Sequence, residues 1–317
     1  MIKNISKFCL GTWSLGGTTR GASSYGKITE KKVEKILNLS FENGINIYDT
    51  ASVYGKSEKI LGKFIQDKRD KIQIATKVGC ISYFKNVNFK KKTIIDNINL
   101  SLKNLKTDYI DVCQLYNPNP IDKDVLKGYE LLKNIQLKGK IKNIGISLQN
   151  PSDYIELRKK IHVDMIQCNF NMLDQRILDK NIIDYMKKDN VAIFARTVLN
   201  FGFFTEHFIR KKKIFFKKND HRSRWNINQI NNWKKFSKNI SDNFKQKIED
   251  IAIRFIFSHK HINSAIIGVM NKKQLLNIIN QKNLIPLNVR ELQIINEIYD
   301  EFEKSRLNKP KIPMKNR

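Results

Sequence analysis

Cysteine is scarce in this sequence, and so are histidine, proline and acidic side chains. The four cysteines, Cys9, Cys80, Cys113 and Cys168, form no CxxC pair and have no histidine near them at metal-ligand spacing. That excludes a zinc site and a disulfide scaffold. They sit mostly in apolar runs and read as buried thiols, so a reducing, cytoplasmic compartment is expected. No apolar run is long enough to span a bilayer. The N-terminal MIKNISKFCLGTW lacks the apolar core of a secretion signal. No G-x-G-x-x-G follows the first strand candidate, because Gly11, Gly16 and Gly17 have the wrong spacing. That argues against an open dinucleotide-binding sheet. No internal repeat or linker divides the chain.

Negative charge is the other shortage. Thirty acidic residues face 59 basic ones, for a net charge of +29. Such a balance first suggests nucleic acid or an anionic membrane. The basic residues are, however, spread along the whole chain rather than gathered on one arm or helix. Lysine far outnumbers arginine, and asparagine and isoleucine are heavily used. This pattern fits codon drift in an A+T-rich genome, so neither nucleic acid nor membrane is expected as a partner. No amphipathic seam beyond the core-facing stripes marks an oligomer interface.

What is present is a regular alternation of short Ile- and Val-rich runs with longer amphipathic stretches. Strands are predicted at Phe8–Thr12, Ile45–Tyr48, Ile72–Thr76, Tyr109–Leu115, Ile141–Ile146, Val163–Cys168, Val191–Ala195 and Ser264–Ile267. Helices are predicted over residues 29–43, 57–66, 93–105, 122–138, 175–188, 243–258, 271–281 and 288–304, with another opened by Pro151. Asn43-Gly44 reads as a helix stop and Thr93 as a cap. Eight alternating units imply parallel strands with right-handed crossovers. They close most simply into a (β/α)₈ TIM barrel, a fold of about 250 residues plus insertions. A chain of 317 residues that is 41% hydrophobic suits that size. One domain over 1–306 is expected, followed by a mobile basic tail at 307–317.

The segment from Asn200 to about Asp242 departs from the rhythm and reads as a long basic loop after strand seven. It carries RKKK at 210–213 and DHRSRW at 220–225. In a barrel it lies on the face that holds active sites. Two readings stand: a lid that places cations over an anionic ligand, or a solvated basic loop.

Residues just after each barrel strand face one mouth. In order these are Asp49, Lys77, Tyr116, Ser147, Gln167 and Arg196, with Tyr54 in the turn after Asp49. A carboxylate, an amine and a phenol converging there form an acid-catalysis set. A phenol is a weak acid with a pKa of about 10. A nearby ammonium favours its phenolate, and a carboxylate keeps that ammonium charged.

These residues lie in segments that resemble the aldo-keto reductases. GINIYDTASVYGKSEKILGKFI (44–65) is similar to that family's signature. ATKVG (75–79), DYIDVCQLYNPNP (108–120), IGIS (144–147), VDMIQCNFNMLDQR (163–176), FARTVLNFGFFT (194–205) and SAIIGVMNKKQLLNII (264–279) follow in the family's order. The resemblance implies a (β/α)₈ barrel that binds NADP(H), less often NAD(H), at its C-terminal mouth. It implies Tyr54 as general acid for carbonyl reduction, Lys77 as the residue that depresses its pKa, and Asp49 as the residue that holds Lys77. Ser147 and Gln167 would bond the nicotinamide carboxamide, and Arg196 would stack where an aromatic ring is common. Trp13, Thr197, Leu199, Gly268 and Gln274 match further cofactor contacts.

The chain departs from the family in three places. Tyr116 replaces the usual histidine, Leu148 replaces an asparagine, and Met270, Asn277 and Ile278 replace residues common in the late loop. Lys272 and Lys273 can meet a 2′-phosphate, which favours NADP(H) over NAD(H). Three functional readings result. The first is a reductase of a small-molecule carbonyl substrate, an aldehyde or ketone. The second, resting on Tyr116, is a weakly catalytic or non-catalytic cofactor-binding barrel acting as a redox sensor or partner subunit. The third, resting on charge alone, is a nucleic-acid-binding barrel.

Overall fold

A computed structural model describes residues 2–17, 25–82, 87–218, 220–280 and 284–307. Eight strands run β1 (Phe8–Gly11), β2 (Ile47–Asp49), β3 (Gln73–Val78), β4 (Ile110–Tyr116), β5 (Ile141–Leu148), β6 (Met165–Asn169), β7 (Ala192–Arg196) and β8 (Ile262–Ile267). Each pairs in parallel with its sequence neighbour, and β1 pairs with β8, so the sheet closes into a barrel. The helices are α1 (Glu30–Glu42), α2 (Ser57–Phe64), α3 (Lys91–Leu105), α4 (Lys123–Leu137), α5 (Asp153–Leu157), α6 (Lys180–Lys188), α7 (Glu206–Ile209), α8 (Ile227–Asn243), α9 (Ile248–Phe257), α10 (Lys272–Ile278) and α11 (Val289–Leu307). With helices between the strands, this is the expected (β/α)₈ barrel. None of the described helices is long and apolar enough to cross a membrane.

The alternation of side chains along each strand divides the core. Residues of one parity, such as Leu10, Tyr48, Ile74, Leu115, Ile146 and Ile166, pack outward under the helices. The other parity fills the barrel. Its lower tier is apolar: Cys9, Ile47, Ala75, Val112, Met165, Ala192, Phe194 and Ile266, with Ile2 packed against them. The same parity continued toward the strand ends gives Asp49, Lys77, Gln114, Ser147 and Gln167, all buried. The interior therefore changes from hydrocarbon to hydrogen-bonding groups along the barrel axis. All four cysteines are buried and free.

Local signals explain most helix ends. Thr29 caps α1 by accepting from the Lys32 N–H, and Gly44 takes a left-handed φ of 80° just beyond its end. Several expectations need correction. Thr93 lies inside α3, which starts two residues earlier behind Lys90. Pro151 precedes the α5 N-cap Ser152 and is outside the helix. The helix expected at 175–188 is broken: a 3₁₀ turn at Arg176–Leu178 ends at Asp179, whose extended backbone and carboxylate cap α6.

The largest difference is in the 200–242 segment, where the 17-residue helix α8 forms behind the cap Asn226. Of its buried stripe, Ile230 clusters with Phe203 and Phe208, with Trp233 packed against them, while Phe236 and Ile240 join the main core, Phe236 against Phe204. α11 extends to Leu307, and the rest of the expected tail, 308–317, lies outside the described residues.

Candidate active site

β2 ends at Asp49, and the Thr50 N–H then donates to the Ala75 carbonyl at 2.8 Å, which lays the following turn across the top of β3. In that turn the Tyr54 N–H donates to Ala51 at 2.9 Å, and the Tyr54 carbonyl accepts from Ser57 at 3.1 Å. The loop after β1 clamps it. The Lys56 N–H donates to the Gly16 carbonyl at 3.0 Å. A Cβ on Gly16 would lie 1.9 Å from the Tyr54 carbonyl oxygen, so only glycine permits this approach.

Lys77 is the fifth of the six residues of β3, one before the strand's end, and its side chain points into the upper barrel and is wholly buried. Its ammonium donates to Asp49 Oδ1 at 2.7 Å, to Asp49 Oδ2 at 2.8 Å and to the Thr50 carbonyl at 2.9 Å. The ammonium is therefore held by three oxygen acceptors. Asp49 Oδ1 also accepts from Gln167 Nε2 at 2.6 Å and from Gln114 Nε2 at 3.2 Å. Pairing and hydrogen bonding of this completeness are what a buried ion pair requires. Lys77 Nζ lies 5.0 Å from the ring centroid of the half-buried Tyr54.

Groups around the pair are biased toward neutrality. The Cys9 thiol is pushed up by burial and by Asp49, and the Glu58 carboxyl is pushed up by burial. Glu58 accepts from the Thr76 and Ser101 hydroxyls at 2.7 and 2.8 Å, behind β3.

The remaining expected residues form a rim. Ser147 donates to Gln167 Oε1 at 3.1 Å, joining both to the Asp49 web. Tyr116 is half-buried at the end of β4, in register with Ser147. Arg196 ends β7 and donates through Nη2 to the Leu148 carbonyl at 2.9 Å. Trp13 opens the turn after β1. Thr197 holds a left-handed φ of 59°, and Leu199 precedes a 3₁₀ turn at Asn200–Gly202. Gly268 follows β8 with Ser14 Oγ 3.8 Å from a built Cβ. Gln274 lies farther out on α10, where its Oε1 accepts from the Met270 N–H at 2.8 Å. The structure thus joins Asp49, Lys77, Ser147 and Gln167 by hydrogen bonds and sets Tyr54 over Lys77. It leaves Gln274 outside that web.

The basic segment also reaches this rim. His221 meets Trp13 edge-on at 4.8 Å and Phe201 at 5.6 Å. Arg222 is committed within the segment. It donates to Asp220 Oδ1 and Oδ2 at 3.0 and 2.7 Å and to the Phe201 carbonyl at 3.1 Å, and it stacks on Tyr25 and Phe216. These bonds make Arg222 an internal clamp of the segment.

Gln114 is the residue the sequence reading passed over. Its signal was present: a polar side chain in the apolar run IDVCQLY, at the same parity as Tyr116. The loop after β7 suits a dinucleotide. Arg196 Nε and Asn200 Nδ2 are buried donors with no partner among the described residues, and Thr197, Asn200, Phe201 and Gly202 all hold positive φ.

Residues 7–300 match the family model described as the aldo/keto reductase family. The chain belongs to that family, whose members are nicotinamide-dependent oxidoreductases acting on small carbonyl compounds. It is 31% identical over 194 residues to the aldo-keto reductase YhdN of Bacillus subtilis, an alignment spanning 59% of this chain and 56% of that protein. It is 27% identical over 301 residues, 92% of each chain, to the uncharacterized oxidoreductase YqkF of the same organism. Among solved structures, the glycerol dehydrogenase AKR11B4 of Gluconobacter oxydans superposes with a TM-score of 0.76 at 22% identity, covering 99% of this chain and 96% of that one. At that identity the likeness concerns the fold.

Proposed function

We propose that this chain reduces a small aldehyde or ketone to the alcohol, with NADP(H) favoured over NAD(H) and Tyr54 as general acid. The observation that carries the reading is the buried Lys77 ammonium, held by both oxygens of Asp49 and set 5.0 Å from the Tyr54 ring. The bound nicotinamide supplies the hydride. Tyr54 donates its phenolic proton to the carbonyl oxygen as negative charge develops there. Lys77 supplies fixed positive charge beside the phenolate left behind, and Asp49 keeps Lys77 charged and in place. Tyr116, where histidine is usual, donates a second hydrogen bond to the same oxygen.

Ser147 and Gln167 would hold the carboxamide, and the guanidinium plane of Arg196 would face the nicotinamide ring. Trp13, Thr197, Leu199, Gly268 and Gln274 would hold the remainder. Lys272 and Lys273, exposed at the start of α10, would meet the 2′-phosphate. The test is oxidation of NADPH and NADH by the purified protein with a panel of small aldehydes and ketones, run beside Tyr54→Phe. Loss of the phenolic proton should lower kcat by about 10²- to 10⁴-fold. Unchanged turnover in Tyr54→Phe would remove the acid assignment. Tight NADPH binding with no turnover in either protein would favour the non-catalytic reading that Tyr116 suggests.

A further inference from the structure

Gln114 stands two residues before the end of β4, inside the barrel, and is wholly buried. Its Nε2 donates to Asp49 Oδ1 at 3.2 Å, while its Oε1 is buried with no partner among the described residues. Turning the amide over would set its oxygen against the carboxylate, so the orientation is fixed. A buried amide oxygen without a donor destabilises a fold. Leucine would occupy nearly the same volume without that defect. Gly145 on β5 leaves the room: a Cβ there would lie 3.1 Å from Gln114 Cγ. Packing therefore does not account for glutamine here, and its one hydrogen bond goes to Asp49.

We propose that Gln114 is a positioning residue for the Tyr54–Lys77 acid, acting through Asp49. The proposal rests on the roles given above to Tyr54, Lys77 and Asp49. Asp49 Oδ1 has three donors, from Lys77, Gln167 and Gln114. Gln167 is also tied to Ser147, so its amide is shared with the carboxamide pair. Gln114 is the neutral donor whose one side-chain hydrogen bond among the described residues serves Asp49. Its N–H draws off part of the carboxylate's charge. That weakens the grip of Asp49 on the ammonium and leaves more of the positive field for the Tyr54 oxygen. The other titratable groups packed around the pair are Cys9 on β1, Glu58 on α2 and Cys80 just beyond β3, each pushed toward its neutral form by burial.

The test is Gln114→Met, which keeps length and removes the donor, with Gln114→Leu as a second shape. Urea midpoints and NADPH affinity establish that each variant is folded. Two further readouts are taken. One is the pH profile of kcat with the best aldehyde of the panel. The other is the near-ultraviolet tyrosinate titration of Tyr54, obtained as the difference between each protein and its Tyr54→Phe counterpart, which needs no turnover. Both variants should lower kcat about five- to twentyfold with KM within about twofold. Both should move the basic limb and the Tyr54 titration up by about half to one pH unit. A Tyr54 titration that stays at the parent value in both folded variants overturns the proposal. A titration that moves in a protein whose parent turns nothing over keeps the positioning role and removes the reductase reading instead.

Discussion

Lys77 and Asp49 form a pair whose two halves cannot be removed separately without cost. Lys77→Met keeps the length of the stem and removes the ammonium. Asp49 is then left buried, with only the Gln114 and Gln167 amides as donors. Lys77 is 0% and Asp49 5% exposed, so solvent does little to compensate. Breaking a buried pair on one side destabilises by about 3–5 kcal/mol. The unfolding entropy of a 317-residue chain makes each kcal/mol worth about 1.5 °C in Tm, so the expected loss is about 4–8 °C. Asp49→Asn strands the ammonium instead and should cost a similar amount. In the double variant no charge is left unpaired, and stability should return to within about 1–2 kcal/mol of the parent. Activity should not return, because the field acting on Tyr54 is absent. Thermal melts of the four proteins give the cycle, and NADPH oxidation gives the chemistry. Additive losses in the double variant, or a Lys77→Met protein as stable as the parent, would refute the reasoning.

Two further outcomes are expected. Gly16→Ala places a methyl 1.9 Å from the Tyr54 carbonyl. It should lower kcat at least about tenfold through a displaced Tyr54 while costing about 1–3 kcal/mol in urea unfolding; unaltered kinetics would show that the loop after β1 does not hold the tyrosine. Asp220 gives a pH effect. Burial raises its carboxyl, but the Arg222 hydrogen bonds and charge and the nearby His221 outweigh this and hold it below the ordinary aspartate value. A folded value below the unfolded one means that the clamp's contribution is complete above about pH 4 and is lost as pH falls through the depressed value. Trp13, Trp225 and Trp233 all lie in or against this segment, so tryptophan fluorescence should show an acid transition that Asp220→Asn abolishes. An identical acid limb in that variant would count against the clamp.

The barrel was legible because the strands are short apolar runs, several of them closed by a polar residue, and because turns such as Asn43-Gly44 have one conformational reading. Asp49, Lys77, Ser147 and Gln167 were legible for the same reason, since strand parity fixes what faces the interior. α8 was missed although Ile230, Trp233, Phe236 and Ile240 recur at helical spacing, because the many Lys and Asn between them resemble a solvated loop. The Arg222 clamp was not legible because a sequence does not show that Asp220, two residues away, folds back to engage it. Gln114 was passed over because it lies deeper in its strand, one inward-facing residue before Tyr116.

Every side-chain hydrogen bond of Lys77 among the described residues goes to Asp49 or Thr50. It is therefore held as a stationary charge. On the proposed chemistry, Lys77 is then a charge that acts without moving, and the hydrogen that restores Tyr54 after each turnover comes from a source other than this ammonium.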